Sequence, residues 1–267
     1  VSILPESLDR RLELAVRLAR AAGEAGLRYF RNRDRLTIEA KGHQDLVSEA
    51  DRELERLIRA GIAAAFPDDA VVGEEGAPTA GSSGFVWVLD PIDGTVNFLT
   101  GIPEWCVSIA VAFEGVAVVG VIYDPSVDEM FSARQGGGAF LNGSPIRASS
   151  SDTLTRGSLG VGFSNRHETA DVATLVAELF RRGGVFYRNG SGALMLAYTA
   201  AGRLLGYCEP HMNSWDCLAG FVLVEEAGGR IVAPDPATVI ADGTRTVATA
   251  PGVFDEVVAL TDACFGG

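Results

Sequence analysis

The sequence predicts a protein in two styles: an α+β first half built on an antiparallel sheet, then an α/β second half. Three observations carry this. Two helical stripes open the chain, and several apolar or alternating segments between turn signals follow them. From residue 150 onward, strand and helix signals alternate. Between these styles, residues 144–152 mark a boundary, giving expected subdomains at 1–147 and 148–267 of a single folded unit.

The elements follow in order. Leu8, Leu12, Ala15, Ala19 and Ala22 recur at helical spacing, so the first element is an amphipathic helix. Residues 37–41 read as a short strand and 41–45 as a polar loop. Ser48 with Asp51 three positions later reads as a capping box, which makes Asp51 a helix-start carboxylate. Behind it Leu54, Leu57, Ile58 and Ile62 form a second stripe that ends at Phe66-Pro67. Val71-Val72 is a short buried strand leading into Gly73-Glu74-Glu75-Gly76, and residues 77–84 read as a mobile Pro/Gly/Ser loop.

Residues 85–89 are apolar throughout, a buried strand that Asp90 closes and Pro91 ends, because proline has no N–H to give a ladder. Segments 107–113, 117–123 and 129–133, with the Asn142-Gly143 turn, suggest an antiparallel meander. Gly136-Gly137-Gly138 lacks a following Lys-Ser/Thr and a helix, so it reads as a bulged turn. In the second half, strands are expected at 159–161, 185–187, 204–208 and 247–249. Helices are expected at 172–180, 193–201, 217–227 and 253–261.

Composition narrows the function classes. No apolar run reaches the length of a membrane span, and the first residues lack the apolar core of a secretory signal, so a cytoplasmic home is expected. With Lys plus Arg at 22 and Asp plus Glu at 35, the net charge of −13 argues against nucleic-acid and anionic-membrane partners. Cys106, Cys208, Cys217 and Cys264 form no C-x-x-C pair and sit in apolar surroundings, so they are expected as reduced, packed thiols.

The chemistry concentrates at three acidic stations: Gly73-Glu74-Glu75-Gly76, Asp90-Pro91-Ile92-Asp93-Gly94-Thr95, and Trp215-Asp216. Each falls at a strand end or helix start. Carboxylates at the mouth of a hydrophobic strand repel each other and resist desolvation, and a hard divalent cation relieves both problems. Gly94 beside Thr95 lets backbone amides approach an anion. Together these features suggest metal-assisted phosphate-ester chemistry. None of the three histidines is placed as a nucleophile: His43 lies on a loop, His167 near a helix start, and His211 near the expected pocket wall.

Two long motifs carry a resemblance. They are Trp87-Val88-Leu89-Asp90-Pro91-Ile92-Asp93-Gly94-Thr95-Val96-Asn97-Phe98 and Trp215-Asp216-Cys217-Leu218-Ala219-Gly220, the second running on to Glu225-Glu226-Ala227-Gly228-Gly229. With Lys41, Asp45-Leu46-Val47, Asp51, residues 134–143, Gly190-Ser191-Gly192-Ala193-Leu194 and Glu209, the chain resembles the inositol monophosphatase family, in the superfamily that also holds fructose-1,6-bisphosphatase.

The resemblance implies a layered αβαβα sandwich and two to three Mg²⁺ ions, with Mn²⁺ as a substitute. Glu74, Asp90 and the Ile92 carbonyl would hold the first ion, and Asp90, Asp93 and Asp216 the second. A third, weaker ion would lean on Glu74. Thr95 and Asp51 would be hydrogen-bonded and orient the attacking water. The Gly94 and Thr95 amides, beside Asp93, would receive the phosphate. Gly190, Ser191, Gly192 and Glu209 would face the alcohol, with Asp216 near the ester oxygen. It further implies myo-inositol monophosphate or a similar small phosphorylated alcohol as substrate, lithium sensitivity and a homodimer. Departures at Ser191-Gly192 and His211-Met212-Asn213-Ser214 leave histidinol phosphate, fructose 1,6-bisphosphate and other sugar phosphates open. Some bacterial members have binding roles in the transcription machinery, so a protein-binding module with residual phosphatase activity is the reading from another class.

Overall fold

The computed structural model describes residues 4–36, 38–42, 45–164 and 166–265. Thr37, His43 and Gln44 therefore lie outside the described residues. Helix α1 (Pro5–Arg31) begins with proline, whose missing N–H costs nothing in a first turn, and buries Leu8, Ala15, Ala19 and Ala22 as the spacing predicts. Strands β1 (Ile38–Gly42) and β2 (Asp45–Ser48) form an antiparallel ribbon. Helix α2 (Glu49–Ala65) opens with the expected capping box: the Ser48 hydroxyl accepts from the Ala50 N–H, and the Asp51 carboxylate accepts from the Ser48 N–H at 2.8 Å.

Strand β3 (Ala70–Gly73) pairs in parallel with β4 (Phe85–Asp93), so the first sheet is not wholly antiparallel. After the one-turn helix α3 (Thr95–Thr100), the meander β5 (Cys106–Phe113), β6 (Val116–Asp124), β7 (Glu129–Arg134), β8 (Gly138–Leu141) and β9 (Ser144–Pro145) completes a seven-stranded sheet in sequence order. Asn142 at φ 49 and Gly143 at φ 77 make the tight turn expected of that pair.

The second half runs β10 (Ser158–Val161), α4 (Thr169–Arg181), β11 (Val185–Tyr187), α5 (Gly192–Ala200), β12 (Gly206–Met212), α6 (Ser214–Glu226), β13 (Arg230–Ile231), α7 (Val239–Asp242), β14 (Thr244–Thr249) and α8 (Phe254–Phe265). Its five strands form a mixed sheet in the order β11-β10-β12-β14-β13, parallel among β10, β11 and β12.

The layers are αβαβα. Helices α1 and α2 cover one face of the seven-stranded sheet, α5 and α6 fill the space between the two sheets, and α4 and α8 cover the far side of the second. Because α5 and α6 have a sheet on each side, they are buried nearly all round: Leu194, Met195, Leu196 and Ala197 in one, Leu218 through Val224 in the other. The contact is closest at Gly120 on β6. A Cβ there would lie 2.2 Å from the Ala219 carbonyl oxygen, so only glycine lets α6 lie flat on the sheet.

Several expectations are corrected. Pro91 does not end β4, which continues to Asp93. Three steps from Asp90 to Asp93 face two steps from Ser108 to Cys106 on β5, so one extra residue forms a β-bulge. Proline is tolerated there because the ladder is already interrupted. In the second half, β12 extends past Cys208 to Met212 and α6 begins at Ser214 rather than Cys217, which places Trp215 and Asp216 inside the first turn of the helix.

The segment expected as a mobile loop is fastened at several points. Val71 and Thr79 exchange backbone bonds of 3.0 and 2.8 Å, and the Ser82 and Ser83 N–H groups donate to the Asp68 carbonyl. Just before β3, the buried Asp69 accepts from Arg11 Nε and Nη2 at 2.8 and 2.9 Å, from Ser83 Oγ at 2.7 Å and from Trp87 Nε1 at 2.9 Å. Burial alone would raise the Asp69 carboxyl; the bonds from Arg11, Ser83 and Trp87 outweigh it and hold the group below the usual carboxylate range. Removing one partner strands a buried charge. Asp69→Ala and Arg11→Ala are each expected to cost about 3–5 kcal/mol in denaturant unfolding, with the double variant costing well under the sum.

Candidate metal and phosphate site

The site lies where β3 and β4 of the first sheet meet the starts of α5 and α6. In a regular strand, residues three apart point to opposite faces. The bulge between Asp90 and Asp93 removes that alternation, and with Asp216 in the first turn of α6 they form a group whose carboxylate oxygens lie within 4.8 Å of one another. Asp90 and Asp93 are buried and Asp216 is half-buried.

Local bonds aim each carboxylate. Asp90 Oδ1 accepts from the Ile92 N–H at 2.8 Å across the proline. Asp93 Oδ2 accepts from Ser191 Oγ at 2.5 Å and from the Ala193 N–H at 2.7 Å at the start of α5, with the Cys106 thiol at 3.7 Å. Asn213 Nδ2 donates to Asp216 Oδ2 at 3.2 Å. The Ser191 hydroxyl, expected toward the alcohol, is thus engaged with Asp93. It also caps α5 by accepting from the Leu194 N–H.

The electrostatics are unfavourable for three anions. Burial pushes Asp90 well above its ordinary value, and the charges of Glu74, Asp93 and Asp216 push it further. Asp216 is raised to about 7, by burial first and Asp93 second. Burial raises Asp93 against the bonds from Ser191, Ala193 and Cys106. An all-oxygen, multiply anionic donor set of this kind fits a hard divalent cation such as Mg²⁺.

The group lies on the wall of a cavity of about 200 Å³. Glu74, Asp90, Ile92, Asp93, Gly94, Thr95, Gly190, Ser191, Gly192, Glu209 and Asp216 all line it, so residues of all three acidic stations face one cavity, with Glu74 outside the close group of Asp90, Asp93 and Asp216. Gly94, at φ 96, turns the chain from β4 into α3, and Thr95 Oγ donates to the Ile92 carbonyl at 3.0 Å. Asp51 is not among the described lining residues; its Oδ2 accepts from both the N–H and the hydroxyl of Ser48. His211 is likewise off the wall, with Nε2 2.8 Å from the Asp242 carbonyl oxygen and 2.9 Å from Arg166.

On the far wall, Tyr207 donates its hydroxyl to Glu209 Oε2. Gly162 makes room for that carboxylate: a Cβ there would fall 2.1 Å from Glu209 Oε2. Burial pushes Glu209 up to about 8, while the Tyr207 bond and the Arg188 charge act in the opposite direction. Phe163, Arg188, Met195 and Tyr207 also line the cavity and were not singled out from sequence. A usable signal existed for two of them. Phe163 and Arg188 follow the carboxyl ends of the parallel strands β10 and β11, where ligands of open α/β sheets collect.

Comparison with known proteins agrees with this geometry. The chain is 39% identical over 227 residues to a protein of Pseudomonas aeruginosa named Nus factor SuhB, a match spanning 82% of this chain and 84% of that one. It is 38% identical over 221 residues to the inositol-1-monophosphatase of Rhizobium meliloti, spanning 82% and 83%. Among solved structures, the extragenic suppressor protein suhB of Bartonella henselae superposes with a TM-score of 0.88 at 32% identity, covering 97% of this chain and 99% of that one. The IMPase of Thermotoga maritima gives 0.83 at 31% identity, covering 96% and 98%. The sequence model of the inositol monophosphatase family matches residues 7–262, and with relatives 38–39% identical over most of its length this establishes that the chain belongs to that family.

Proposed function

We propose that this protein is a Mg²⁺-dependent phosphomonoesterase of small phosphorylated alcohols, with myo-inositol monophosphate the first substrate to test. The observation that carries the reading is the group of three carboxylates at the wall of a cavity sized for one small polyol. The related inositol-1-monophosphatase supports the choice of substrate. When bound, Mg²⁺ supplies charge neutralisation for a phosphate dianion and lowers the pKa of water.

The chain's own groups divide the remaining work. Asp90, Asp93, Asp216, Glu74 and the Ile92 carbonyl hold two to three ions. The Gly94 and Thr95 amides receive the phosphate oxygens. Thr95 orients the attacking water, and Asp51, set back from the cavity wall, supports it from the start of α2. Glu209 accepts from a hydroxyl of the alcohol, with Gly190 and Gly192 shaping the wall beside it, and Asn213 steadies Asp216 at the ester oxygen. No Ser, Cys or His nucleophile takes part, so hydrolysis is direct, with inversion at phosphorus and no phosphoenzyme. A homodimer belongs to the same proposal, and sedimentation at micromolar concentration tests it.

A second reading draws on the relatives named Nus factor SuhB: a partner-binding module in which turnover is residual. A substrate panel with Mg²⁺ separates the two. On the first reading at least one polyol phosphate is turned over, and Asp93→Asn lowers kcat/KM about 100-fold or more, the equivalent of roughly 3 kcal/mol of transition-state charge stabilisation. Negligible turnover of every ester, with partner binding untouched by Asp93→Asn, selects the second.

The raised carboxyls set a pH dependence. The folded pKa of Asp216, about 7, lies above its ordinary value of 3.8, so its contribution to stability is complete below about pH 4 and is lost as pH rises through about 7. The chelator-treated protein is therefore expected to melt at lower temperature at pH 8 than at pH 5. Protons compete with the cation, so added Mg²⁺ is expected to raise the melting temperature more at pH 8 than at pH 5, as read by scanning calorimetry.

A further inference from the structure

Glu74 differs from the other acids of the site in how it is held. Asp90 and Asp93 ride on β4, and Asp216 rides on α6, both inside the packed layers. Glu74 stands one residue past the end of β3, where the ladder with β4 stops at Gly73 opposite Leu89 and a last bond runs from the Glu74 N–H to the Leu89 carbonyl at 3.2 Å. Beyond that point the chain leaves the sheet. Glu55 of α2 meets it there. This buried glutamate, 2% exposed, accepts from the Glu75 N–H through Oε2 at 2.8 Å and from Arg59 Nε through Oε1 at 2.6 Å. Arg59 in turn donates to the Gly76 carbonyl at 3.2 Å and to Thr79 Oγ at 3.3 Å.

The loop is shaped around that carboxylate. A Cβ on Gly73 would lie 2.6 Å from Glu55 Cδ, and one on Gly76 would lie 2.6 Å from Glu55 Oε1. The backbone on both sides of Glu74 therefore closes over the Glu55 carboxylate, and the two glycines are what allow it. A pair that served only to neutralise a buried charge needs Arg59 alone. It has no need of a bond to the residue next to a candidate metal ligand, nor of glycines on either side.

We propose that Glu55 and Arg59 are positioning residues that set Glu74 against the metal site, an inference resting on the reading of that site as a divalent-cation phosphatase centre. The pair fixes where the Glu74 carboxylate stands relative to Asp90, and hence how tightly the ion they share is held.

The test is Mn²⁺ titration by calorimetry, alongside the Mg²⁺ concentration for half-maximal turnover and KM at saturating Mg²⁺. Glu55→Ala is expected to weaken Mn²⁺ binding about tenfold or more, the usual effect of losing a group that orients a ligand. Half-saturation in Mg²⁺ should shift by the same factor, and KM for the ester should change less than about twofold. Glu55→Gln keeps one oxygen for the Glu75 N–H and should recover most of the affinity. Gly76→Ala deletes no polar group but pushes a methyl against Glu55, and should weaken Mn²⁺ binding in the same direction; it carries the test should Glu55→Ala fail to fold. Folded Glu55→Ala and Gly76→Ala variants that bind Mn²⁺ as the wild type does overturn the inference and leave the phosphatase reading standing. A wild-type protein that binds no Mn²⁺ overturns that reading, and the inference with it.

Discussion

The structure depends on keeping Asp90, Asp93 and Asp216 together although each carries, or resists carrying, the same negative charge in a poorly hydrated place. Left to themselves, the side chains would turn away from one another or take up protons. They are held instead by hydrogen bonds from the Ile92 amide, the Ser191 hydroxyl and Ala193 amide, and the Asn213 side chain. Each of those donors belongs to a strand end or a helix start whose position is set by the core. The layers supply the rigidity, and the termini of the layers supply the site.

The central layer has the largest part in this. Helix α5 presents its first turn to Asp93, and α6 presents Asp216, so both halves of the chain meet at one pair of helix starts. The two helices also pack against each other closely enough that a Cβ on Gly220 would lie 2.4 Å from Leu196 Cβ. A shift of either helix would move a carboxylate's support as well as the core.

Much of this was legible in the residues. The helical stripes of α1 and α2, the Ser48–Asp51 capping box, the meander and the alternation of the second half follow from periodicity and turn chemistry, which are local. The convergence of Glu74, Asp90, Asp93 and Asp216 was legible only because two long motifs carried it; nothing in spacing alone places residue 216 beside residue 90. What escaped was decided by tertiary context. Pro91 looked like a strand end because its missing N–H matters in a regular ladder, and no local signal announces a bulge. The loop before β4 looked free because no local signal ties Ser83 and Thr79 back to Asp69 and Val71, and Asp69 is itself held by Arg11 from 58 residues away in sequence. Phe163 and Arg188 reach the cavity only through the order in which β10, β11 and β12 lie side by side.

The extra residue in β4 has a consequence for how such a protein can change over generations. Because the side chains of a strand alternate, what brings Asp90 and Asp93 to one face is a count of residues rather than any particular residue between them. Substitutions at Ile92 leave that parity alone. A codon gained between Asp90 and Asp93 would preserve an open reading frame and leave β5 and β6 with nearly the same apolar partners, yet with the bulge kept it would send one aspartate to the opposite side of the sheet. Here a lineage is freer to vary in spelling than in length.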